Sequence, residues 1–544
     1  MLARLELLSR GRCGPLEAGL AAVLLLAVGF TAFGRHVANG GFLVDDWNFA
    51  GTYRTFARDG GFFSALSHFY DFLDGRPVEA AYHAVVEAVL GANMAVRLSW
   101  TVVLGVVVSA LLFALLRRLG VERVHAAAIA VLALLFPASD ATRLWSNGAL
   151  YSVAVALYLG GALVALHGLS RSGRRAAFLH AVALTLYGAS VLLPEVTTGA
   201  IAVTVLLYRL AGASWRACLV RWGADLAPLA VALVYVRSAL PRRSGSSGDQ
   251  LEHLRVIEEQ ARHLLASAGI QHGPTRLPGL AAVLILAAAV GAWAASRRGD
   301  PLRDALGRWL LTAVGGVGVI AAGYAPFVPS NAYYSPLAQG LGTRTNAAAG
   351  LGFAILFYAL AVLASLAGAR LLRLPRPQAL AGLVAVTGAA LLAVSWARAI
   401  DRDRKLYEQA YRLERVALDL VRTRIPSPAP GMTVYLFGLP RETGAGVFTF
   451  FGFYDFTGAL RLLWDDTTVR GFAATWLGEE GITCGRRRVR ADSRWAGRDV
   501  DDAYSAPYGK IVFIDVKTRS SQRIPTPAEC RAALRRYLPD ATAA

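Results

Sequence analysis

The sequence predicts a mainly α-helical protein: a polytopic bundle of about eleven transmembrane helices, with interfacial helices and a small extracytoplasmic α/β domain at the C-terminal end. Three observations predict this fold class. Hydrophobic residues make up 55% of the 544 residues and charged residues 17%, against roughly 45–50% and about 25% in soluble domains. Long apolar runs recur before residue 397, and the composition changes after it. Together these observations exclude a disordered chain, a disulfide-framework miniprotein and a soluble multidomain enzyme.

Each predicted span is a run of mostly apolar residues near the length of roughly 20 that a helix needs to cross the hydrocarbon core. The run at 124–137 is short, and the runs at 176–193 and 195–211 nearly fuse at Pro194. The predicted spans cover residues 17–33, 94–116, 124–137, 148–169, 176–193, 195–211, 224–240, 279–296, 309–327, 347–369 and 378–397. They define a predicted transmembrane domain over residues 1–400.

The charged loops predict the orientation of the bundle. The first apolar run follows Arg4, Arg10 and Arg12 without a clear cleavage site, so we interpret it as an uncleaved anchor with a cytoplasmic N-terminus. Arginine-rich loops then lie on the cytoplasmic side, as the positive-inside rule requires. The same alternation predicts that five segments lie outside the cytoplasm: residues 34–77, 138–147, 241–277, 328–346 and everything after 397. The net charge of +19 is spread over separate loops, which argues against nucleic acid as a partner.

Two stretches are predicted to be interfacial helices. Residues 78–91, within the first external loop at 34–93, are too short to span and carry Glu79, His83 and Glu87 on one face. Residues 251–268 have a similar pattern.

After the last span, residues 401–425 predict a charged amphipathic helix that connects the bundle to an α/β domain at 426–544. TVYLFGLP and KIVFIDVKT predict buried strands in this domain. Cys484 and Cys530 both belong to it, and they either pair outside the cytoplasm or remain free thiols.

The acidic doublet in GFLVDDWNF, Asp45 and Asp46, is the strongest chemical signal. Adjacent carboxylates repel each other, which raises one pKa and suits that group to act as a general base. Alternatively, the pair holds a divalent cation, Mg²⁺ or Mn²⁺, or forms a solvated turn with an N-cap aspartate. Trp47 is expected to anchor the segment at the membrane interface. No phosphate-binding GxxxxGK[ST], HExxH or GxSxG motif is present in the sequence.

Residues 41–118 resemble the GT-C superfamily of integral-membrane glycosyltransferases. The doublet follows the first span, Arg76 and Pro77 open an interfacial helix, and the next span begins near Asn93-x-x-x-Arg97. The likeness in organisation extends over residues 17–400, whereas the WWDYG signature of oligosaccharyltransferases is absent from the sequence. The acceptor therefore stays open.

The resemblance implies roles for further residues, each with a competing interpretation. Asp140 would be a second external acid, although with Arg143 it could form a surface ion pair. Glu195 matches an acid at the external end of later spans and must face water or a partner. Arg344 would bind the lipid-linked phosphate, alone or with Arg76 or Arg143, or would merely anchor the interface. Tyr333 and Tyr334 would contact the sugar or belong to an aromatic belt.

The resemblance also implies the reaction. A sugar would pass, with inversion, from a polyprenyl-phosphate donor to a glycan, lipid or protein acceptor of the cell envelope, at the extracytoplasmic face of the plasma membrane. Asp45 or Asp46 would act as the base, and no cofactor is expected other than the divalent cation considered above. Two alternatives remain open: a transporter or lipid flippase, and a non-catalytic envelope scaffold.

Overall fold

The computed structural model describes residues 14–73, 76–239, 277–296, 299–328, 340–374, 377–444, 446–451, 453–474, 482–491 and 505–538, with Arg255 and Glu258. Within these residues the chain is mainly α-helical with a small mixed sheet near the C-terminal end, which confirms the predicted fold class. The helices up to the sheet are α1 Pro15–Asn39, α2 Asp45–Phe72, α3 Pro77–Leu90, α4 Met94–Arg118, α5 Arg123–Leu134, α6 Ala141–Leu144, α7 Ala149–Leu169, α8 Gly173–Val191, α9 Thr198–Ala202, α10 Thr204–Leu210, α11 Trp215–Ala239, α12 Leu277–Ala295, α13 Pro301–Tyr324, α14 Ala349–Leu371 and α15 Pro377–Arg424.

Seven helices of the described residues are long and apolar enough to cross a membrane: α1, α4, α7, α11, α13, α14 and α15. Each of them overlaps one of the predicted spans. Leucine, valine and alanine side chains lie exposed on the outer helices, as on α1, where only 22% of the most apolar window is buried. An apolar surface of this kind is stable in a bilayer, so the chain is an integral membrane protein.

The span predicted at 195–211 is wrong as a single helix. The segment is broken at Val203, where α9 ends and α10 begins. The break frees backbone groups, and the indole Nε1 of Trp222 donates to the carbonyl oxygen of Ala202 at 2.8 Å. Irregular backbone at this depth is tolerated because such partners replace the lost helical hydrogen bonds. The run at 124–137 likewise forms only the short helix α5.

The predicted first external loop is largely helical. Helix α2 changes direction at Gly61, whose φ of 72° is available to glycine at little cost. Helix α3 covers the stretch predicted to be an interfacial helix, but Glu79, His83 and Glu87 are buried against neighbouring elements. The other predicted interfacial helix, at 251–268, lies outside the described residues except for Arg255 and Glu258, which are helical.

Helix α15 is a continuous helix of 48 residues. It contains both the last predicted span and the stretch predicted to connect it to the C-terminal domain. Its C-terminal half buries Tyr407, Glu414 and Val421.

The C-terminal part contains β1 Thr433–Phe437, β2 Glu442–Gly444, β3 Val447–Phe448, α16 Phe453–Trp464, β4 Arg470–Ala473, β5 Ile482–Cys484, β6 Arg488–Ala491, β7 Ser505–Pro507, β8 Ile511–Asp515, β9 Ser520–Arg523 and α17 Pro527–Tyr537. Its main sheet has the order β4-β1-β8-β9, in which β1 is parallel to both β4 and β8. The two predicted strands are therefore neighbours, and both are buried along their whole length, as their unbroken apolar runs predict. A disulfide joins Cys484 to Cys530, which decides between the two thiol states that the sequence left open.

Candidate active site

The acidic doublet opens helix α2. Val44, the residue before the helix, has a φ of 47° and a ψ of −112°, a conformation that is costly for a β-branched side chain. Asp45 and Asp46 follow it in the first helical turn, where the helix dipole stabilises negative charge. A strained residue at this position indicates that the surrounding contacts fix the direction in which the doublet points.

Both carboxylate oxygens of Asp46 accept hydrogen bonds from the protein backbone. Its side chain is 1% exposed, Oδ2 accepts the backbone N–H of Leu43 at 3.1 Å, and Oδ1 accepts that of Asn147 at 2.7 Å. Burial raises the pKa of Asp46 to about 8, although the nearby Arg97 opposes this shift. Asp46 thus joins the start of α2 to the external loop before α7, and it is not a solvated turn residue.

Asp45 differs from its neighbour because it is only partly buried. Its Oδ2 accepts the side-chain amide of Asn147 at 3.1 Å, whereas Oδ1 accepts no hydrogen bond from the described residues. Burial raises the pKa of Asp45, while the charge of Arg344 and the bond from Asn147 act in the opposite direction. Of the two carboxylates, Asp45 is therefore the one with an oxygen available to a substrate.

Arg344, on the loop that precedes α14, is close enough to Asp45 for its charge to lower the pKa of that carboxyl. Its Nη1 donates to the carbonyl oxygen of Leu341 at 2.8 Å, and its Nε donates to the Tyr151 hydroxyl at 3.3 Å. The guanidinium also stacks over the Trp145 ring, with 5.3 Å between the guanidinium carbon and the ring centroid. These contacts hold a cation at a fixed position next to the available carboxylate.

Arg76 and Glu195 meet in the structure, although 119 residues separate them in the sequence. Arg76 Nη2 donates to Glu195 Oε1 at 3.1 Å, and Arg76 Nη1 donates to Glu79 Oε2 at 3.2 Å. Burial raises the pKa of Glu79, Arg76 lowers it, and the charges of Glu195 and Asp45 raise it further. The effect of Asp45 on Glu79 shows that this ion-pair network borders the doublet.

Asp140 and Arg143 are buried, at 0% and 5% exposure, and are not the surface ion pair that was the competing interpretation. Thr343 Oγ1 donates to Asp140 Oδ1 at 3.2 Å, while Arg143 Nη2 donates to the Phe136 carbonyl oxygen at 2.9 Å. Burial, and secondly the charge of Asp403, raise the pKa of Asp140 well above its ordinary value. The pair forms a layer beneath the loop of Arg344 and has no contact with Asp45 among the described residues.

Trp47 was predicted to anchor the segment at the membrane interface, but its side chain is buried inside the protein. It is 4% exposed and its Nε1 donates to Glu414 Oε2 of helix α15 at 2.7 Å. The doublet is therefore tied to the long helix that leads to the C-terminal domain. Tyr333 and Tyr334 lie outside the described residues.

Sequence reasoning missed Asn147, which contacts both members of the doublet, and Glu414, which binds Trp47. The only signal for Asn147 was its place in the external loop that contains Asp140. Nothing in the local pattern of α15 distinguished Glu414 from the other charged residues of an amphipathic helix.

The doublet is a poor fit for the divalent cation considered from the sequence. Both oxygens of Asp46 already accept backbone N–H groups, one oxygen of Asp45 accepts Asn147, and Arg344 is adjacent. Mg²⁺ requires about six oxygen ligands and a surplus of negative charge. Among the residues that the structure describes, no group of three or more His, Cys, Asp or Glu side chains forms a candidate metal site.

Comparison with known proteins adds a structural similarity. No protein-family model matches the sequence, and no curated protein matches it. Among solved structures, the chain is similar to the crystal structure of ArnT from Cupriavidus metallidurans bound to undecaprenyl phosphate. The sequence identity is 16%, the match covers 77% of this chain and 82% of that chain, and the TM-score is 0.34. A similarity of this size does not extend the ligand of ArnT to this chain.

Proposed function

We propose that the protein is a membrane glycosyltransferase that transfers a sugar from a polyprenyl-phosphate donor to an envelope acceptor on the extracytoplasmic side. The proposal combines the sequence resemblance to the GT-C superfamily with one structural observation. Asp45 Oδ1 accepts no hydrogen bond from the described part of the chain, its Oδ2 accepts the amide of Asn147, and the charge of Arg344 is close enough to lower its pKa. This arrangement supplies both groups that direct displacement at an anomeric carbon needs.

Asp45 acts as the general base. Its Oδ1 takes the proton of an acceptor hydroxyl while that oxygen attacks the anomeric carbon of the donor. The new carbon–oxygen bond forms as the bond from the anomeric carbon to the phosphate oxygen breaks, so the configuration inverts. The raised pKa of Asp45 makes its carboxylate a stronger base than an exposed aspartate, and such a group contributes about 10²–10⁴-fold to a rate.

Arg344 stabilises the departing phosphate. The bond that breaks leaves negative charge on a phosphate oxygen, and a preorganised guanidinium lowers the energy of that charge without rearranging. Arg76 is already paired with Glu79 and Glu195, so we assign it the role of holding Glu195 at the border of the site. Arg143 donates to buried groups in the layer below, and we assign it no contact with the donor.

The disulfide supports an extracytoplasmic site. Disulfides persist in oxidising compartments, so Cys484–Cys530 favours a location of the C-terminal domain outside the cytoplasm. The doublet lies against the same domain, because Gly458 of α16 approaches the backbone of Trp47 so closely that a Cβ atom would clash. The site and the domain are therefore on one side of the membrane. A polyprenyl tail can stay in the bilayer while its sugar phosphate reaches that surface.

Deletion of the gene tests the proposal. We expect the deletion strain to lose one envelope glycan and to accumulate a lipid-linked sugar, and we expect wild-type protein, but not the Asp45→Asn variant, to reverse both changes. The Ser67→Trp variant, which alters an exposed residue of the same helix, serves as the expression-matched control. Unchanged glycans and lipid-linked sugars in the deletion strain would overturn the proposal.

A further inference from the structure

A cavity lies where the first external segment meets the C-terminal domain. It has a volume of about 490 Å³ and is lined by α2, by the end of α3 and by α16 with the residue that follows it. Ala50 of α2 belongs to its wall and is five residues beyond Asp45, which corresponds to about 7.5 Å along the helix axis. The cavity thus begins about 1.4 helical turns from the proposed base and has the size of a small-molecule site, about 300–1,000 Å³.

Glu87 is a buried charged residue in the lining of this cavity. It is 4% exposed and forms an ion pair with the buried Arg97 through Oε2. Its other oxygen, Oε1, is buried and has no hydrogen-bond partner in the described part of the chain. A buried acceptor without a partner is costly, by about 1–3 kcal/mol in general, so an oxygen of this kind in the wall of a cavity indicates a ligand that donates hydrogen bonds.

The charged residues that line the cavity are equal in number, with Arg54 and Arg58 against Glu87 and Asp465. Arg54 Nε donates to Asp465 Oδ1 at 2.8 Å, and Arg58 Nη1 donates to the carbonyl oxygen of Asp465 at 3.0 Å. Since Arg54 and Glu87 are each in an ion pair, the described lining residues do not offer the converging cations that characterise a phosphate site. Tyr53 adds an aromatic ring to the wall, and Ala57 and Leu462 add apolar surface. A ligand that fits this lining donates hydrogen bonds from hydroxyl groups, has apolar ring faces and carries no net charge. A sugar has all three properties.

We infer that this cavity binds a neutral, hydroxyl-rich sugar unit of the acceptor, with Glu87 Oε1 accepting one of its hydroxyl groups. The inference rests on the proposed function, because it supplies the acceptor whose hydroxyl Asp45 would deprotonate. The cavity is formed jointly by α2 and α16, so the C-terminal domain contributes directly to acceptor recognition.

Saturation-transfer NMR on the full chain in lipid nanodiscs tests this site without a transfer reaction. The probes are glucose, galactose, mannose, arabinose and N-acetylglucosamine, with inorganic phosphate as the anionic comparison. We expect at least one sugar to bind and phosphate not to compete with it. Ala57→Trp, which fills the cavity, should weaken that binding by at least about tenfold, whereas the exposed Ser67→Trp variant on the same helix should bind as wild type does.

Glu87→Gln provides a second variant with an unchanged cavity volume. Replacing a charged acceptor by a neutral amide should weaken sugar binding by about tenfold, as expected for a hydrogen bond to a charged group. No binding of any sugar in the panel, displacement of a sugar by phosphate, or equal binding by Ala57→Trp would overturn the inference. Loss of transfer in Asp45→Asn would leave the proposed function intact in each of these cases, so the two failures are distinguishable.

Discussion

The two carboxylates of the doublet should respond in opposite ways to the same substitution. Asn at position 45 keeps an oxygen that can accept the amide of Asn147, so the local structure is preserved, but the base is lost. We expect the transfer rate of Asp45→Asn to fall by about 10²–10⁴-fold, which corresponds to about 2.7–5.4 kcal/mol in the activation barrier. The midpoint of thermal unfolding should stay close to that of the wild type.

Asn at position 46 meets a different environment. Both oxygens of Asp46 accept backbone N–H groups, so an amide would direct its own NH₂ group at a donor, either Leu43 or Asn147. One buried donor would then lose its acceptor, which costs about 1–3 kcal/mol of unfolding free energy. We therefore expect a clear loss of stability in Asp46→Asn.

The assay compares the two variants in the same membranes. Transfer is measured from a radiolabelled polyprenyl-phosphate donor at equal protein level, and thermal unfolding is measured on the purified proteins in nanodiscs. Full transfer by Asp45→Asn would refute the assignment of the base. A stable Asp46→Asn protein together with an unstable Asp45→Asn protein would show that the structural and chemical roles are the reverse of those assigned.

Three further outcomes follow from the same contacts. Arg344→Gln should lower the transfer rate by about 10-fold or more through loss of a charge-assisted contact to phosphate, with the exposed Arg422→Gln as control; equal rates for the two variants would contradict the role of Arg344. The pKa of Asp46 is raised to about 8, so the folded state keeps a proton that the unfolded state releases above about pH 4. The contribution of this group to the free energy of unfolding therefore falls as the pH rises from about 4 to about 8. The stability difference between wild type and Asp46→Asn, measured by thermal unfolding, should therefore narrow between pH 5 and 8, and a constant difference would show that Asp46 is ionised throughout. Finally, peptide mapping without reductant should recover Cys484 linked to Cys530 from cells, and Cys530→Ser should lose about 2–5 kcal/mol of stability in the C-terminal domain; recovery of both residues as free thiols would place that domain in a reducing compartment.

Local patterns were sufficient for the long membrane helices and for two strands of the main sheet. Apolar runs predicted the long membrane helices, and unbroken apolar stretches predicted β1 and β8, because burial on all sides leaves a direct trace in composition. The same reasoning failed at 195–211, where the composition is apolar but the helix breaks. Composition records whether a segment is buried and does not record whether a distant side chain, here Trp222, takes over a backbone hydrogen bond.

The site was less accessible to sequence reasoning because its contacts are long-range. The doublet was found from its adjacency, but its partners Asn147 and Glu414 lie about one hundred and nearly four hundred positions away. Nothing in the local sequence distinguishes the two aspartates. Asp46 accepts two backbone N–H groups, whereas Asp45 accepts a side-chain amide through one oxygen. This division of roles depends on where the loop before α7 meets the start of α2.

The broken segment also bears on the transporter alternative, which requires charges that change partners within the membrane. Asp225 lies in the middle of the membrane helix α11 and was not singled out from the sequence. Its carboxylate accepts the hydroxyls of Thr204 and Tyr208, both at 2.7 Å, and lies 3.0 Å from His180 Nε2. Polar contacts between helices act as glue in a bilayer, and here they fasten α10 to α8 and α11 where the helix is interrupted. Both oxygens of Asp225 are occupied by groups of the bundle itself, which fits a structural role better than the binding and release of cargo. By fixing the interrupted segment, this network also holds Glu195, three residues before α9, where Arg76 can reach it beside the doublet.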